Sequence, residues 1–116
     1  MAKSKTVVTV ISKISERPTT RNAALVVIYG EDLGRKYDLD RNLTIIGRSS
    51  KCDIQVDQDS ISRNHAKIVL DGKSANVSDM GSTNGTWVDR QRITGPTTLT
   101  VGHQLKVGRT VLELRK

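Results

Sequence analysis

Three short segments of this 116-residue chain concentrate the side-chain types that bind phosphate oxygens. Gly47-Arg48-Ser49-Ser50 follows one apolar run, Ser60-Ile61-Ser62-Arg63-Asn64-His65 precedes another, and Gly81-Ser82-Thr83-Asn84-Gly85-Thr86 precedes a third. Arg48 and Arg63 each offer a planar fork of donors with a permanent charge, a better match to phosphate than lysine. Serine and threonine hydroxyls donate single hydrogen bonds to the remaining oxygens. Asn84 carries both a donor and an acceptor, which suits the main chain of an extended peptide. The glycines permit tight turns and close approach of a ligand to the backbone. A charge-assisted hydrogen bond contributes about 1.5–3 kcal/mol, so two or three together make binding depend on the phosphate.

Other chemistries fit poorly. Ser62 and His65 stand three apart, but no acid is placed to orient the histidine and no oxyanion hole is indicated. A Gly-x-x-x-x-Gly-Lys phosphate loop is absent from the sequence. The one cysteine, Cys52, excludes an internal disulfide, and with only His65 and His103 beside it no structural metal site is expected. The expectation is therefore a binding domain without catalytic residues, metal or cofactor. Cys52 is read as a small buried residue, Trp87 as core packing, and His65 as a histidine that braces a loop.

The formal charge of +7 first suggests nucleic acid. Its distribution argues otherwise. The segment before Ala24 carries Lys3, Lys5, Lys13, Arg17 and Arg21 against Glu16, whereas the rest of the chain interleaves its signs. With Trp87, Tyr29 and Tyr37 as the only aromatics, there is little to stack bases on. The longest apolar run, Ala23 to Tyr29, falls well short of the roughly 20 residues a membrane helix needs. No signal-peptide pattern opens the chain. Nucleic acid and membrane are thus not the expected partners, and a cytoplasmic setting is expected.

The elements that must hold the three segments are short strands. Residues 1–22, rich in Ser, Thr and Lys and broken at Arg17-Pro18, read as a flexible N-terminal tail, with the folded domain over 23–116. Leu25–Tyr29, Tyr37–Leu39, Leu43–Ile46, Ile54–Val56 and Ala66–Leu70 read as strands, and Asp71-Gly72 as a two-residue hairpin turn. Ala75–Val77, Thr86–Val88, Arg92-Ile93, Leu105–Val107 and Val111–Leu114 continue the series, with Asp89-Arg90-Gln91 as a polar corner. No segment sustains helical periodicity. About ten short strands in a domain of this size imply two packed sheets, an all-β sandwich.

Gly47-Arg48, Ser62-Arg63-Asn64-His65 and Asn84-Gly85, at this spacing, resemble the signature of the forkhead-associated (FHA) domain. The similarity runs over about residues 24–115. It extends to Ile45-Ile46, to Cys52-Asp53-Ile54 and to Asp79-Met80-Gly81-Ser82-Thr83-Asn84-Gly85-Thr86. The resemblance implies a β-sandwich of about eleven short, mostly antiparallel strands that binds phosphothreonine in peptides or proteins. It makes Arg48 the phosphate clamp, Ser62 a phosphate contact, Thr83 a loop residue reaching the phosphate, and Asn84 the holder of the ligand main chain. Arg63 joins this ligand-contacting set. Gly47, His65 and Gly85 become structural members of the motif. Ser49, Ser60 and Ser82 fall where selectivity beyond the phosphothreonine is set.

Such a reader implies an upstream Ser/Thr kinase. Thr6, Thr9, Thr19 and Thr20 in the tail are candidate phosphosites, making the tail a candidate self-ligand in cis or trans. From Thr20 to Leu25 the chain spans at most about 17 Å, against about 54 Å from Thr9. The resemblance places the binding loops opposite the termini. Thr6 or Thr9 could then reach its own site, while Thr19 or Thr20 would engage a second molecule. The family also supplies sensory modules of bacterial signalling proteins, including diguanylate cyclases and secretion regulators, so a C-terminal output domain is an expectation by analogy. The alternative function is a phosphate-independent scaffold for protein interaction or oligomerisation that uses a sheet face or edge.

Overall fold

Alternation of apolar and polar residues dictates how each strand presents itself, because successive side chains point to opposite sheet faces. In the computed structural model, which describes residues 23–71 and 74–116, this alternation builds eleven strands. They are β1 (Ala24–Tyr29), β2 (Lys36–Asp38), β3 (Leu43–Gly47), β4 (Ile54–Gln55), β5 (Ala66–Asp71) and β6 (Ser74–Asp79). Then follow β7 (Thr86–Val88), β8 (Gln91–Arg92), β9 (Thr97–Leu99), β10 (Gln104–Val107) and β11 (Thr110–Arg115). One sheet has the order β2-β1-β11-β10-β7-β8 and the other β4-β3-β5-β6-β9. Every pairing is antiparallel except that of β3 with β4, where Ile46 lies opposite Ile54 and Gly47 opposite Gln55.

The core lies between the sheets and is aliphatic. Leu25 and Val27 of β1, Leu105 and Val107 of β10, and Leu112 and Leu114 of β11 meet Ile46 of β3, Ile68 of β5 and Val77 of β6. Burying each such side chain contributes about 1.5–3 kcal/mol, which is how a chain without phenylalanine holds two sheets together. Leu39 and Ile61 close the core from connecting segments.

All ten expected strands are present, with ends displaced by a residue or two. The eleven strands match the number that the family resemblance implies, and the one that the residue pattern alone does not mark is β9. Its Thr97-Thr98-Leu99 sequence is short and follows Pro96, and Leu99 supplies its only fully buried side chain. Pairing with β6 makes β9 a sheet edge, where one ladder is enough. A correction concerns Trp87. It is not in the core: Thr86 and Val88 take the inward positions of β7, so Trp87 faces outward, half-buried between Arg92 and Lys106. The tail expected over residues 1–22 falls outside the described residues, as does Gly72 of the expected Asp71-Gly72 turn. Asp71 itself ends β5 and pairs with Ser74, so it belongs to the ladder rather than to the turn.

Candidate functional site

Three connections converge at one end of the sandwich: residues 48–53 between β3 and β4, 56–65 between β4 and β5, and 80–85 between β6 and β7. They are joined by hydrogen bonds that sequence spacing does not show. Past the end of β3, the Arg48 amide donates to the Ser62 carbonyl at 3.0 Å and the Ser49 amide to the Arg63 carbonyl at 3.2 Å. This zipper requires a residue without a side chain at Gly47. A Cβ there would lie 2.1 Å from the Arg63 carbonyl oxygen and 3.0 Å from the Cys52 sulfur. The Cys52 thiol itself donates to the Arg63 carbonyl at 3.1 Å, and burial pushes its pKa up, away from a thiolate.

Arg48 is half-buried in this junction. Its Nε donates to the Ile61 carbonyl at 3.0 Å, which fixes the plane of the guanidinium and leaves the Nη donors for a ligand. Among the described residues no carboxylate pairs with it. The same holds for Arg63, which is exposed beside it. The Ser62 hydroxyl accepts the Thr83 amide at 3.1 Å, so its own proton is free to donate outward. Thr83 is exposed and brings a second hydroxyl to this junction. The Asn84 side-chain amide donates to the Ser60 carbonyl at 2.9 Å, which holds the amide plane and leaves its oxygen to accept an N–H from a bound strand.

Beneath these groups lies His65, with no solvent exposure. Nδ1 accepts the Ser62 amide at 3.1 Å, and Nε2 lies 2.7 Å from the Gly85 carbonyl. A carbonyl can only accept, so the proton sits on Nε2. The main chain of His65 bonds to Ile46 and Met80 as well. Gly85 adopts φ +93°, a conformation that favours glycine.

One organising residue had no role assigned from sequence. Asp79, the last residue of β6, accepts the Ser82 amide at 2.9 Å, the Ser82 hydroxyl at 2.5 Å and the Thr86 hydroxyl at 2.7 Å. Desolvation opposes its ionisation, but the Ser82 and Thr86 hydrogen bonds outweigh this and hold its carboxyl below the ordinary value. The Asp-x-x-Ser spacing, typical of side chain-to-backbone turns, was the available signal.

The three serines expected to influence selectivity are placed differently from one another. Ser82 has its hydroxyl committed inside its own loop, donating to Asp79 and accepting the Gly85 amide at 2.9 Å. The Ser60 hydroxyl is buried without a partner among the described residues and packs close to Gly108, so this residue meets the site through its carbonyl. Ser49 accepts the Lys51 amide at 3.1 Å and keeps a hydroxyl proton to offer. Thr6, Thr9, Thr19 and Thr20 lie outside the described residues.

The converging donors, with two arginines that have no counter-charge among the described residues, are suited to a phosphate held beside an extended peptide. Comparison with known proteins agrees in family. The chain is 35% identical over 97 residues to the FHA domain-containing protein FhaB of Mycobacterium tuberculosis, covering 82% of this chain and 63% of that relative. The chain thus spans less than two thirds of that relative's length. Among solved structures, EmbR of Mycobacterium tuberculosis in complex with a low-affinity phosphopeptide superposes with a TM-score of 0.75 at 33% identity, over 80% of this chain and 24% of that one. A structure from an analysis of phosphothreonine-dependent FHA domain interactions gives 0.74 at 30% identity, over 81% and 95%. The FHA domain model itself matches residues 44–108, which contain all three loops. This chain belongs to the FHA domain family.

Proposed function

We propose that the domain is a phosphothreonine-dependent peptide- and protein-binding module that acts in signalling. Arg48 carries this reading: a permanent charge at the junction of three loops, aimed by its bond to Ile61 and without an acidic partner among the described residues. Ser62, Thr83 and Arg63 complete the phosphate contacts, and Asn84 holds the ligand main chain. The phosphopeptide bound to EmbR and the phosphothreonine dependence named for the second structure support this ligand class. Titration of a degenerate phosphothreonine peptide library tests it. Binding should need the phosphate and fall by about tenfold or more in Arg48→Ala and in Ser62→Ala, the loss expected for one or two charge-assisted bonds. Equal affinity for phosphorylated and unphosphorylated peptides sinks the reading.

A phosphorylated tail is the self-ligand we favour testing, since Thr6, Thr9, Thr19 and Thr20 sit in a basic segment tethered to the reader. Each phosphate would add about −2 there. Tail peptides phosphorylated singly should bind at least about tenfold more tightly than their unphosphorylated forms. Indifference to phosphate at all four positions removes the idea. Coupling to an output such as a diguanylate cyclase draws no support from FhaB or EmbR and rests on analogy.

A further inference from the structure

The outer face of the six-stranded sheet carries a feature that the phosphate site does not use. Strand register aligns Tyr29 with Val111, Val111 with Lys106, Lys106 with Trp87, and Trp87 with Arg92. One transverse row thus crosses five strands, β1-β11-β10-β7-β8, as Tyr-Val-Lys-Trp-Arg. At the ordinary spacing between strands it is about 19 Å long, the reach of an extended segment of about six residues. A groove of about 580 Å³ follows it, lined by Tyr29, Trp87, Arg90, Lys106, Arg109 and Val111 among others, and among the described residues no carboxylate lines it.

The charges of this row and groove have no acidic partner among the described residues. Among the described residues, none of Arg90, Arg92, Lys106 and Arg109 forms an ion pair. The nearest acid in sequence, Asp89, accepts the Gln104 amide at 2.8 Å and lies 3.6 Å from His103. Arg92 and Lys106, its register neighbours on the two flanking strands, stand 5.7 and 5.6 Å from the centre of the Trp87 ring, so the indole holds two cations in place. The turn between β7 and β8 adds a backbone cost. Asp89 and Arg90 both have positive φ, +47° and +72°, where an Asn-Gly pair would be at ease and an arginine is not. Backbone strain that keeps a cation at a groove is a reason to ask what the cation binds.

We propose that this groove is a second binding site, which takes an acidic segment of a partner polypeptide in extended form. Carboxylates would pair with Arg90, Lys106, Arg109 and Arg92, while aliphatic side chains lie on Tyr29, Val111 and the edge of Trp87. A single-stranded nucleic acid would meet the same charges, but its bases would have to compete with Arg92 and Lys106 for the Trp87 ring on which such ligands stack. The site is independent of phosphothreonine recognition. It is nevertheless contiguous with that site, because the Arg92 side chain crosses Gly85, where a Cβ would lie 2.7 Å from its Nε. One partner could therefore engage both.

The test uses the full chain and a short unphosphorylated peptide of alternating glutamate and leucine, followed by NMR. Trp87 is the only tryptophan, so its indole N–H gives one assigned signal. It should shift on binding, and Lys106→Gln should weaken binding by about fivefold or more. Arg90→Asn separates function from folding: asparagine suits the positive φ, so the variant should be at least as stable as the parent yet bind the peptide less tightly. Arg48→Ala should leave this binding unchanged, so failure here is distinct from failure of the phosphothreonine reading. An unmoved Trp87 signal, undiminished binding by Arg90→Asn and Lys106→Gln, or tighter binding of an oligothymidylate overturns the proposal.

Discussion

His65 Nε2 donates to the Gly85 carbonyl at 2.7 Å, joining the end of the β4–β5 connection to the end of the β6–β7 connection. Because Nδ1 of the same ring accepts the Ser62 amide, the spacing between the loop that carries Ser62 and the loop that carries Thr83 and Asn84 is set from below by one neutral imidazole. The ligand-facing groups are thus held before any ligand arrives, which removes part of the ordering cost of binding.

Replacing His65 by alanine leaves the Ser62 amide and the Gly85 carbonyl without partners and opens a void in a fully buried position. The expected cost is about 2–5 kcal/mol, read as a lower urea midpoint. Hydrogen exchange adds a local readout. The Ser62 amide should be protected in the parent chain and exchange rapidly in the variant. Unchanged protection would show that the histidine is not the brace.

Gly47 is required by close approach rather than by φ. Gly47→Ala would put a methyl carbon 2.1 Å from the Arg63 carbonyl oxygen, so the strand end must move away from the 60s loop. A destabilisation of about 1–3 kcal/mol or more is expected, together with loss of the Arg48–Ser62 and Ser49–Arg63 backbone bonds. Faster exchange of the Arg48 and Ser49 amides would report that loss. A variant as stable as the parent would contradict it.

The outline of this site was legible in the sequence because its residue types are local: Arg after Gly, Ser-Arg-Asn-His before a strand, Asn-Gly in a turn. Strands were legible for a similar reason, since Leu25–Tyr29 or Val111–Leu114 can serve little else than a sandwich strand. What was not legible depends on phase or on distant partners. β7 is three residues long, so nothing local says whether Trp87 or its neighbours face inward. The answer comes from Thr86, a polar residue that is fully buried because its hydroxyl meets Asp79. Likewise the commitments of the Ser60 carbonyl to Asn84 and of the Ser82 hydroxyl to Asp79 and Gly85 appear only once the loops are folded together.

Arg48→Lys separates charge from geometry. Lysine keeps the positive charge but has no Nε–H to bond to the Ile61 carbonyl and no planar fork to present. Phosphothreonine-peptide affinity should fall by about tenfold or more, close to the loss in Arg48→Ala, while stability changes by less than about 1 kcal/mol. Retained affinity in the lysine variant would mean that charge alone suffices.

Asp79 predicts a pH dependence with a definite sign. Its carboxyl is held below the ordinary value of 3.8, so ionised Asp79 favours the folded state. That contribution is fully present above the ordinary value and is lost as pH falls through the lowered one. Asp79→Asn removes the carboxylate that accepts from Ser82 and Thr86, so it should be less stable than the parent by a constant amount from neutral pH down to about pH 5. Below that, the difference should shrink as the parent chain takes up its proton. Paired urea titrations from pH 7 to about pH 2.5 check this, and a difference that stays constant across the acid range would remove Asp79 as the ionised anchor of the Ser82–Thr86 loop.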